Sequence, residues 1–394
     1  MWNFVLPSAA KRGIALNTPW IYDASAHITT QQRIRKAKNE SSGHSYALFM
    51  SIRGLLRLRP TDLALDVGTA NTRIHISGAG VVLNQASVLC THGNNSLRAR
   101  GRPTLSVGDE ARRMLGRLPQ NIEAVTPIRG GVISNFSASE QMIRQFVRHA
   151  CKGRWRANAP RITVTVPGDA TQVERRAFKE AIHGAGASHV ALLAKPLAAA
   201  LGAGLAISDA TGCMVVDIGA GTTEIGVIAL GSVVRGASAR VGGDTFDQAI
   251  VNYVRRTHGL LIGEHTAQRV KLEIGCALPP RDDLFLGVTG RSLAEGIPRS
   301  MTLSSQEVYE ALAEPLGQIV SLLRRVLEST PPELAADIAD RGFMLTGGSA
   351  MLRGLDQRLR EETGLAVAVA EQPMTCVIRG TGLAIETLDP DFFA

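Results

Sequence analysis

Two short stretches of this chain carry residue types that can hold a phosphate chain. Asp66-Val67-Gly68-Thr69-Ala70-Asn71-Thr72 follows one apolar run, and Asp217-Ile218-Gly219-Ala220-Gly221-Thr222-Thr223 follows another, Met214-Val215-Val216. Small residues let main-chain N–H groups approach an anion closely, and the threonine hydroxyls add donors. Asp66 and Asp217, each at the end of the run before the turn, suit the hydration shell of magnesium, which keeps several waters when bound. One such turn alone is equally compatible with an ordinary hairpin. The second copy decides for the phosphate reading: Asp, Gly, Thr and the alternating apolar positions coincide without a gap, 151 residues apart. A repeat at that spacing implies a duplicated domain, with two phosphate-facing hairpins across a cleft. Neighbouring explanations fail. No G-x-x-x-x-G-K-[ST] occurs, and the glycines lead into a strand rather than a helix, against the dinucleotide-binding pattern.

Two further stretches face the same chemistry. Phe343-Met344-Leu345-Thr346-Gly347-Gly348-Ser349-Ala350 reads as a strand, a glycine turn and a helix start, where a nucleotide can lie against bare backbone. The helix predicted over Thr266 to Ile274 brings Gln268 and Lys271 onto one face at i, i+3.

The elements that position these residues alternate between strand and helix, as a layered α/β fold requires. After the first hairpin come a strand pair over Gly80 to Leu89, a more polar insert over residues 90 to about 127, and a helix from about Ser137 to Cys151. Arg161 to Val166 and Val190 to Leu193 read as strands, Asp169 to Ala185 and Pro196 to Leu205 as helices. Past the central hairpin, Gly242 to Asp247 caps a helix running to about Thr257, Thr302 to Leu327 is helical with a break near Pro315, Ala366 to Ala370 is a strand, and Ala384 begins a last short helix.

With 394 residues, 45% of them hydrophobic, and a mean hydropathy of +0.06, the chain can bury two substantial cores. The net charge of +8 is carried mostly by arginine, since only seven lysines occur. No nucleic-acid motif with interleaved aromatics accompanies it, so a solvated, arginine-biased surface explains most of the charge. Five scattered cysteines without a C-x-x-C pair argue for a reducing cytoplasm and against disulfides or zinc. The apolar stretch Val190 to Ile207 is broken by Lys195-Pro196 and reads as core, not as a membrane span. Residues 1–49 lack sustained periodicity and a signal-peptide pattern, and are expected to be a disordered extension, with Met50 able to serve as an internal start. Residues 50–60 put Ile52, Leu55 and Leu56 on one helical face beside Arg53 and Arg57, which suits either an anionic membrane interface or a terminal helix packed on its own domain. Trp155, among the cations of Lys152 to Arg156, is either a second membrane contact or a half-buried loop residue.

Taken together, these motifs resemble the MreB family of bacterial actin-like proteins over roughly residues 50 to 390. The similarity is most specific at Leu65 to Thr72, Val215 to Glu224, Val241-Gly242-Gly243-Asp244, Tyr253 to Arg256, Ile262-Gly263-Glu264 and Leu345 to Gly348, and extends to Thr171 to Ala177. The resemblance implies an actin-like ATPase fold of two duplicated α/β domains, each with a smaller subdomain, around a nucleotide cleft. Domain I would span 61–209 (small subdomain about 90–127), domain II 210–374 (small subdomain about 246–308), and 375–394 would return to domain I. It further implies ATP and Mg2+ as ligands and membrane-associated filaments in the cytoplasm, on the inner face of the cell membrane, that position cell-wall synthesis and determine rod shape. Self-association, the inner-membrane surface, transmembrane morphogenesis and cell-wall synthesis proteins, and a co-assembling paralogue are the implied partners. Carried over by position, Thr69, Ala70 and Asn71 face the phosphates from one side and Gly219, Ala220, Gly221, Thr222 and Thr223 from the other. Asp66 and Asp217 hold magnesium through water. Gln268, Arg269, Val270 and Lys271 contact the ribose and base region, Gly347, Gly348, Ser349 and Ala350 line the adenosine, and Thr222 is the candidate catalytic side chain.

Departures from the pattern bear on mechanism. Where the family usually has a Glu-Pro step, this chain has Lys195-Pro196. Orienting an attacking water needs an acceptor, and an ammonium offers three donors and no acceptor. Lys195 is therefore expected to leave ATP binding intact and weaken hydrolysis, its charge meeting the γ-phosphate; the alternative is a side chain turned to solvent, with Thr222 and another acceptor sustaining slow turnover. Gln268 replaces a glutamate, and Ala220 and Ser349 replace glycines, so nucleotide affinity is expected to be lower than is typical. Two other function classes stay open at this point: a pseudo-ATPase paralogue that regulates or copolymerises with a typical relative, and a small-molecule kinase of the same superfamily.

Overall fold

The computed structural model describes residues 62–92, 104–151 and 159–387. The N-terminal extension, the amphipathic segment 50–60 and the Trp155 loop lie outside the described residues.

Apolar β-branched runs separated by small-residue turns build the first sheet from β1 (Asp62–Val67), β2 (Asn71–Ile76) and β3 (Gly80–Ala86). A small antiparallel sheet follows, from β4 (Leu89–His92), β5 (Thr104–Val107) and β6 (Ile122–Val125), then a two-stranded hairpin of β7 (Ile128–Arg129) and β8 (Val132–Ile133). β9 (Arg161–Val166) and β10 (His189–Ala194) return to the first sheet, whose order is β10-β9-β1-β2-β3. The second sheet begins with β11 (Cys213–Ile218), β12 (Thr223–Ala229) and β13 (Ser232–Ala239). Another small sheet holds β14 (Leu260–Leu261), β15 (Phe285–Ser292) and β16 (Pro298–Ser304). β17 (Phe343–Thr346) and β18 (Val367–Val369) then complete the order β13-β12-β11-β17-β18.

The two large sheets are copies of one plan. β1 lies antiparallel to β2 and parallel to β9, and β11 lies antiparallel to β12 and parallel to β17. Register repeats as well: Asp66 stands opposite Arg73, and Asp217 opposite Glu224. Each sheet buries its own core, one around Leu65, Ile74, Phe146 and Phe178, the other around Val216, Ile225, Phe246 and Leu323. At about 25 cal/mol per Å² of apolar surface removed from water, these interiors supply the main drive for folding.

Helix ends follow local sequence. Asn135 accepts from the Ala138 N–H at the start of Phe136–Ala150, and Thr171 with Glu174 forms a reciprocal capping box for Gln172–Gly184. The expected helix from Thr302 begins later, because residues 302–304 complete β16 and Ser304 with Glu307 caps Ser305–Ser329. That helix also runs through Pro315 without a break. Pro315 lies on the buried stripe with Leu312, Leu316 and Ile319, so packing outweighs the lost main-chain hydrogen bond. The last helix starts at Cys376, not Ala384. No helix among the described residues is long and apolar enough to cross a membrane.

One crossing sets the position of the residue most relevant to chemistry. The helix Lys195–Gly202 meets the helix Cys376–Thr387 at backbone contact: a Cβ on Gly202 would lie 1.8 Å from the Cys376 carbonyl oxygen, and one on Gly380 1.8 Å from that of Ala198. At its start, Pro196 packs where a Cβ on Gly226 of β12 would stand, 2.6 Å away. Three glycines thus lock the helix whose first residue is Lys195. Helix propensity alone favours alanine over glycine by about 1 kcal/mol, yet Gly380→Ala is expected to destabilise the protein by about 3 kcal/mol, because the added methyl meets backbone rather than a movable side chain. Thermal unfolding of the variant checks this; a melting temperature at or above wild type would contradict the tight crossing.

Candidate functional site

The two repeated turns face each other across a cleft of about 530 Å³, a size suited to a small-molecule ligand. Each turn closes on itself: Gly68 N–H donates to the Asn71 carbonyl at 3.0 Å, and Gly219 N–H to that of Thr222 at 2.8 Å. They also fit against one another. A Cβ on Gly221 would stand 2.5 Å from Thr69 Oγ1, and one on Gly131, where φ is +76°, 3.0 Å from Thr222 Cγ2. Gly131 N–H donates to Thr69 Oγ1 at 3.2 Å, tying the β7–β8 hairpin to the first turn. The cleft floor is therefore bare backbone with two threonine side chains set in it.

A third backbone segment caps the second turn. Gly243 and Asp244 donate their N–H groups to the Gly219 and Ala220 carbonyls at 3.0 and 2.8 Å, and Ser349 Oγ donates to Gly219 at 2.9 Å. Lys271 Nζ reaches the Gly243 carbonyl and Asp247, both at 2.9 Å. Gly347, at φ +86°, leaves no room for a side chain, since its Cβ would lie 2.3 Å from the Ile218 carbonyl oxygen. Neither Ala220 nor Ser349 has a positive φ, so replacing glycine there introduces no backbone strain. Farther out, Leu272, Met351 and Met374 line the cleft while 75%, 61% and 47% exposed, an apolar slot that a planar base would cover. At the mouth, Arg112 donates to Gln268 Oε1 at 2.9 Å, linking the two sides.

The acidic residues are held in a repeated pattern. Asp66 accepts from Thr165 Oγ1 and from Arg73 Nη1, each at 3.2 Å. Asp217 accepts from Thr346 Oγ1 at 2.9 Å, and Lys195 Nζ lies 3.4 Å from its other oxygen. Lys195 Nζ is also 3.7 Å from Glu224, whose second oxygen accepts from Gly168 N–H at 3.1 Å. Burial opposes the Lys195 charge, but Asp217, Glu224 and Asp66 together hold its pKa above the ordinary lysine value. Burial and the nearby Asp217 raise the Glu224 carboxyl to about 7 even against the Lys195 ammonium.

Most sequence-predicted positions meet in this cleft: Asp66, Thr69, Ala70, Asn71, Asp217, Gly219, Ala220, Gly221, Thr222, Gln268, Lys271, Gly347, Gly348 and Ser349 all line it. Four point elsewhere. Thr223, the first residue of β12, follows Thr222 and sends its hydroxyl to the Val241 carbonyl in the core. Arg269 and Val270 lie off the helical face of Gln268 and Lys271, Arg269 donating to the Gly287 carbonyl and Val270 fully buried. Ala350 packs in the core within a 3-10 turn over Gly348–Met351, so the expected α-helix start is absent there and the α-helix begins at Leu355. Lys195 does not turn to solvent: its ammonium sits on Asp217 and Glu224. Sequence reasoning missed Arg73, Glu224, Thr165 and Arg112. The repeat alignment held the signal for two of them, because Arg73 and Glu224 occupy equivalent positions opposite the two aspartates.

A nucleotide fits what is present: a glycine-walled floor, hydroxyl donors and an apolar slot. A magnesium ion fits poorly, since each of Asp66 and Asp217 already has one oxygen on a threonine hydroxyl and the other on a fixed cation that would repel it.

Comparison with known proteins fixes the lineage. The family model for the MreB/Mbl protein matches residues 60–391. The chain belongs to the MreB/Mbl family. It is 52% identical to the cell shape-determining protein MreB of Escherichia coli K12, over 83% of this chain and 94% of that one. It is 45% identical to the cell shape-determining protein Mbl of Bacillus subtilis, over 83% and 96%. Among solved structures, MreB 5 of Spiroplasma citri bound to AMPPNP matches with a TM-score of 0.77 and 31% identity, over 84% and 97% of the two chains. A MamK double helical filament, at 21% identity and a TM-score of 0.71, shares the fold. This MreB/Mbl chain therefore has the actin-like α/β fold that the family resemblance implies.

Removing the ammonium would leave Asp217 and Glu224 facing each other across the β11–β12 ladder. Lys195→Ala is expected to destabilise the protein by about 3–5 kcal/mol at pH 8, as breaking a buried ion pair does. A carboxyl raised above its unfolded value binds its proton more tightly in the native state, so the stability due to Glu224 falls as pH rises from about 4.5 to about 7. The Lys195→Ala deficit should consequently shrink between pH 8 and pH 5, where a proton replaces the ammonium. Denaturant unfolding at the two pH values measures both effects; an equal deficit at each would show that Lys195 does not serve this pair.

Proposed function

We propose that this chain is an ATP-binding cytoskeletal protein that assembles into membrane-associated filaments, helps set rod cell shape by positioning cell-wall synthesis, and hydrolyses ATP poorly. Family membership supports the cell-shape role, since the Escherichia coli and Bacillus subtilis relatives are cell shape-determining proteins. The Spiroplasma structures, with AMPPNP and with ADP, support a nucleotide in the cleft. In this reading Thr69 to Asn71 and Gly219 to Thr222 cradle the phosphates, Gln268 and Lys271 meet the ribose, and Gly347 to Ser349 back the adenosine. The two sheets form domains I and II, with the helix from Cys376 packed back on domain I. Filament assembly, the inner-membrane surface and transmembrane morphogenesis partners belong to the same proposal. Asp66 and Asp217 serve the threonine hydroxyls and cations beside them in this reading, not a magnesium ion.

The observation that carries weak hydrolysis is Lys195 seated on Asp217 and Glu224. A water beside the phosphates would meet an ammonium there instead of an acceptor, and Glu224 is occupied by that ammonium and by Gly168. The loss of a positioned base removes about 10²–10⁴ in rate. The same observation favours a second reading, a pseudo-ATPase that copolymerises with a typical relative and tunes its turnover.

Single-turnover phosphate release should be at least about tenfold slower for wild type than for Lys195→Glu, a conservative fraction of that range. Equal rates would remove the hydrolysis proposal. Electron microscopy of the purified chain with ATP on anionic lipid separates the readings. Filaments from this chain alone support the first, assembly only with a family member the second, and monomers that phosphorylate a small molecule would overturn both.

A further inference from the structure

Arg73 and Lys195 share a setting that ordinary surface cations lack. Both line the cleft, and their side chains are only 12% and 15% exposed. Neither is free to swing away. Arg73 stands directly opposite Asp66 in the β1–β2 ladder, so strand register fixes the pair. Lys195 opens a helix locked by glycine contacts, and its ammonium lies 3.8 Å from where a Cβ on Gly219 would stand. It is thus beside the phosphate-facing turn itself.

We infer that Arg73 and Lys195 are built-in counter-ions that let this cleft take the polyphosphate of a nucleotide without a divalent cation. The inference rests on the nucleotide reading above and concerns how the ligand's charge is met. A nucleoside triphosphate brings about four negative charges, which in water a magnesium ion partly offsets. Here Arg73 and Lys195 already stand against Asp66, Asp217 and Glu224, the acids that would otherwise repel it. Each keeps donors to spare: a guanidinium has five N–H groups and an ammonium three. Arg73 Nε is buried and has no hydrogen-bond partner among the described residues, so the donors of this guanidinium are not all spent on Asp66.

A divalent cation, by contrast, would have to enter against both. It would need carboxylate oxygens to anchor its waters, and those of Asp66 and Asp217 are each taken by a threonine hydroxyl and a cation. Displacing Lys195 or Arg73 would leave a protein cation buried next to the metal, where like charges repel strongly at low dielectric. The cleft therefore binds the metal-free nucleotide about as well as the metal complex. Without a metal on the β- and γ-phosphates less charge is drawn from the scissile bond, in keeping with slow hydrolysis.

Binding of a fluorescent ATP analogue to the full chain, followed by anisotropy in excess magnesium and in EDTA, tests this. The wild-type dissociation constant should change by less than about threefold between the two buffers, well under the tenfold that marks a substantial energetic difference. Lys195→Arg should keep this indifference. Lys195→Ala and Arg73→Leu should lose about tenfold or more in EDTA and regain part of it with magnesium, with circular dichroism confirming that each is folded. Wild-type binding that tightens tenfold or more on adding magnesium would overturn the inference and leave the nucleotide reading intact. No binding in either buffer would overturn both. The decisive comparison uses the wild-type chain, so a variant that does not fold leaves the test standing.

Discussion

Asp217 and Glu224 stand opposite each other on adjacent strands, both buried, in the lining of the cleft. Like charges in that position repel, and burial makes the repulsion worse because little water screens it. The sheet can keep this pair only if something positive is held against it. Lys195 is that group, and much of the surrounding architecture serves to keep it there. Its helix is pinned at one end by Pro196 against Gly226 and at the other by the glycine crossing with the helix from Cys376. The C-terminal helix thereby acts on the site through the placement of one ammonium, besides lining the cleft with Val377.

Around that pair the cleft is shaped by what is missing. Gly221 and Gly131 let the two hairpin turns close on each other's threonines, and Gly347 lets β17 pass under the second turn. Gly243 and Asp244 satisfy the carbonyls of Gly219 and Ala220, so these acceptors of the second turn are met within the protein. A polar backbone surface of this kind is costly to bury without partners.

Much of this was legible in the chain itself. The gapless match between Asp66 to Thr72 and Asp217 to Thr223 predicted two equivalent sheets, because the same strand–turn–strand sequence folds the same way twice. Alternation and helical phase are harder to read at a turn. They are why Thr223, Arg269, Val270 and Ala350 were expected at the ligand and instead face the core or the outer surface. The Lys195 substitution was visible, but its destination was not. Whether a lysine at a helix start reaches a phosphate, solvent or a carboxylate depends on which strands lie beneath it, and that is fixed by packing between residues far apart in sequence. Thr165 and Thr346 show the same limit: each serves an aspartate on a neighbouring parallel strand, a pairing that only the sheet order reveals.

The duplication is most informative where its halves differ. Both aspartates receive a threonine hydroxyl from the parallel neighbour, so that part of the plan is common to both halves. The residue opposite differs in sign: arginine faces Asp66, and glutamate faces Asp217. In the first half the ladder itself neutralises the acid. In the second half it doubles the negative charge, and the neutralising cation comes from a helix instead. The two solutions are electrostatically alike, each leaving a fixed positive group at the cleft wall, but they are not mechanically alike. Arg73 moves only with its own sheet, whereas Lys195 rides on a helix that packs against β12 and the C-terminal helix together. Any shift of one half against the other would therefore alter the Lys195 contacts, so that ammonium joins the charge of the cleft to the arrangement of its two sides.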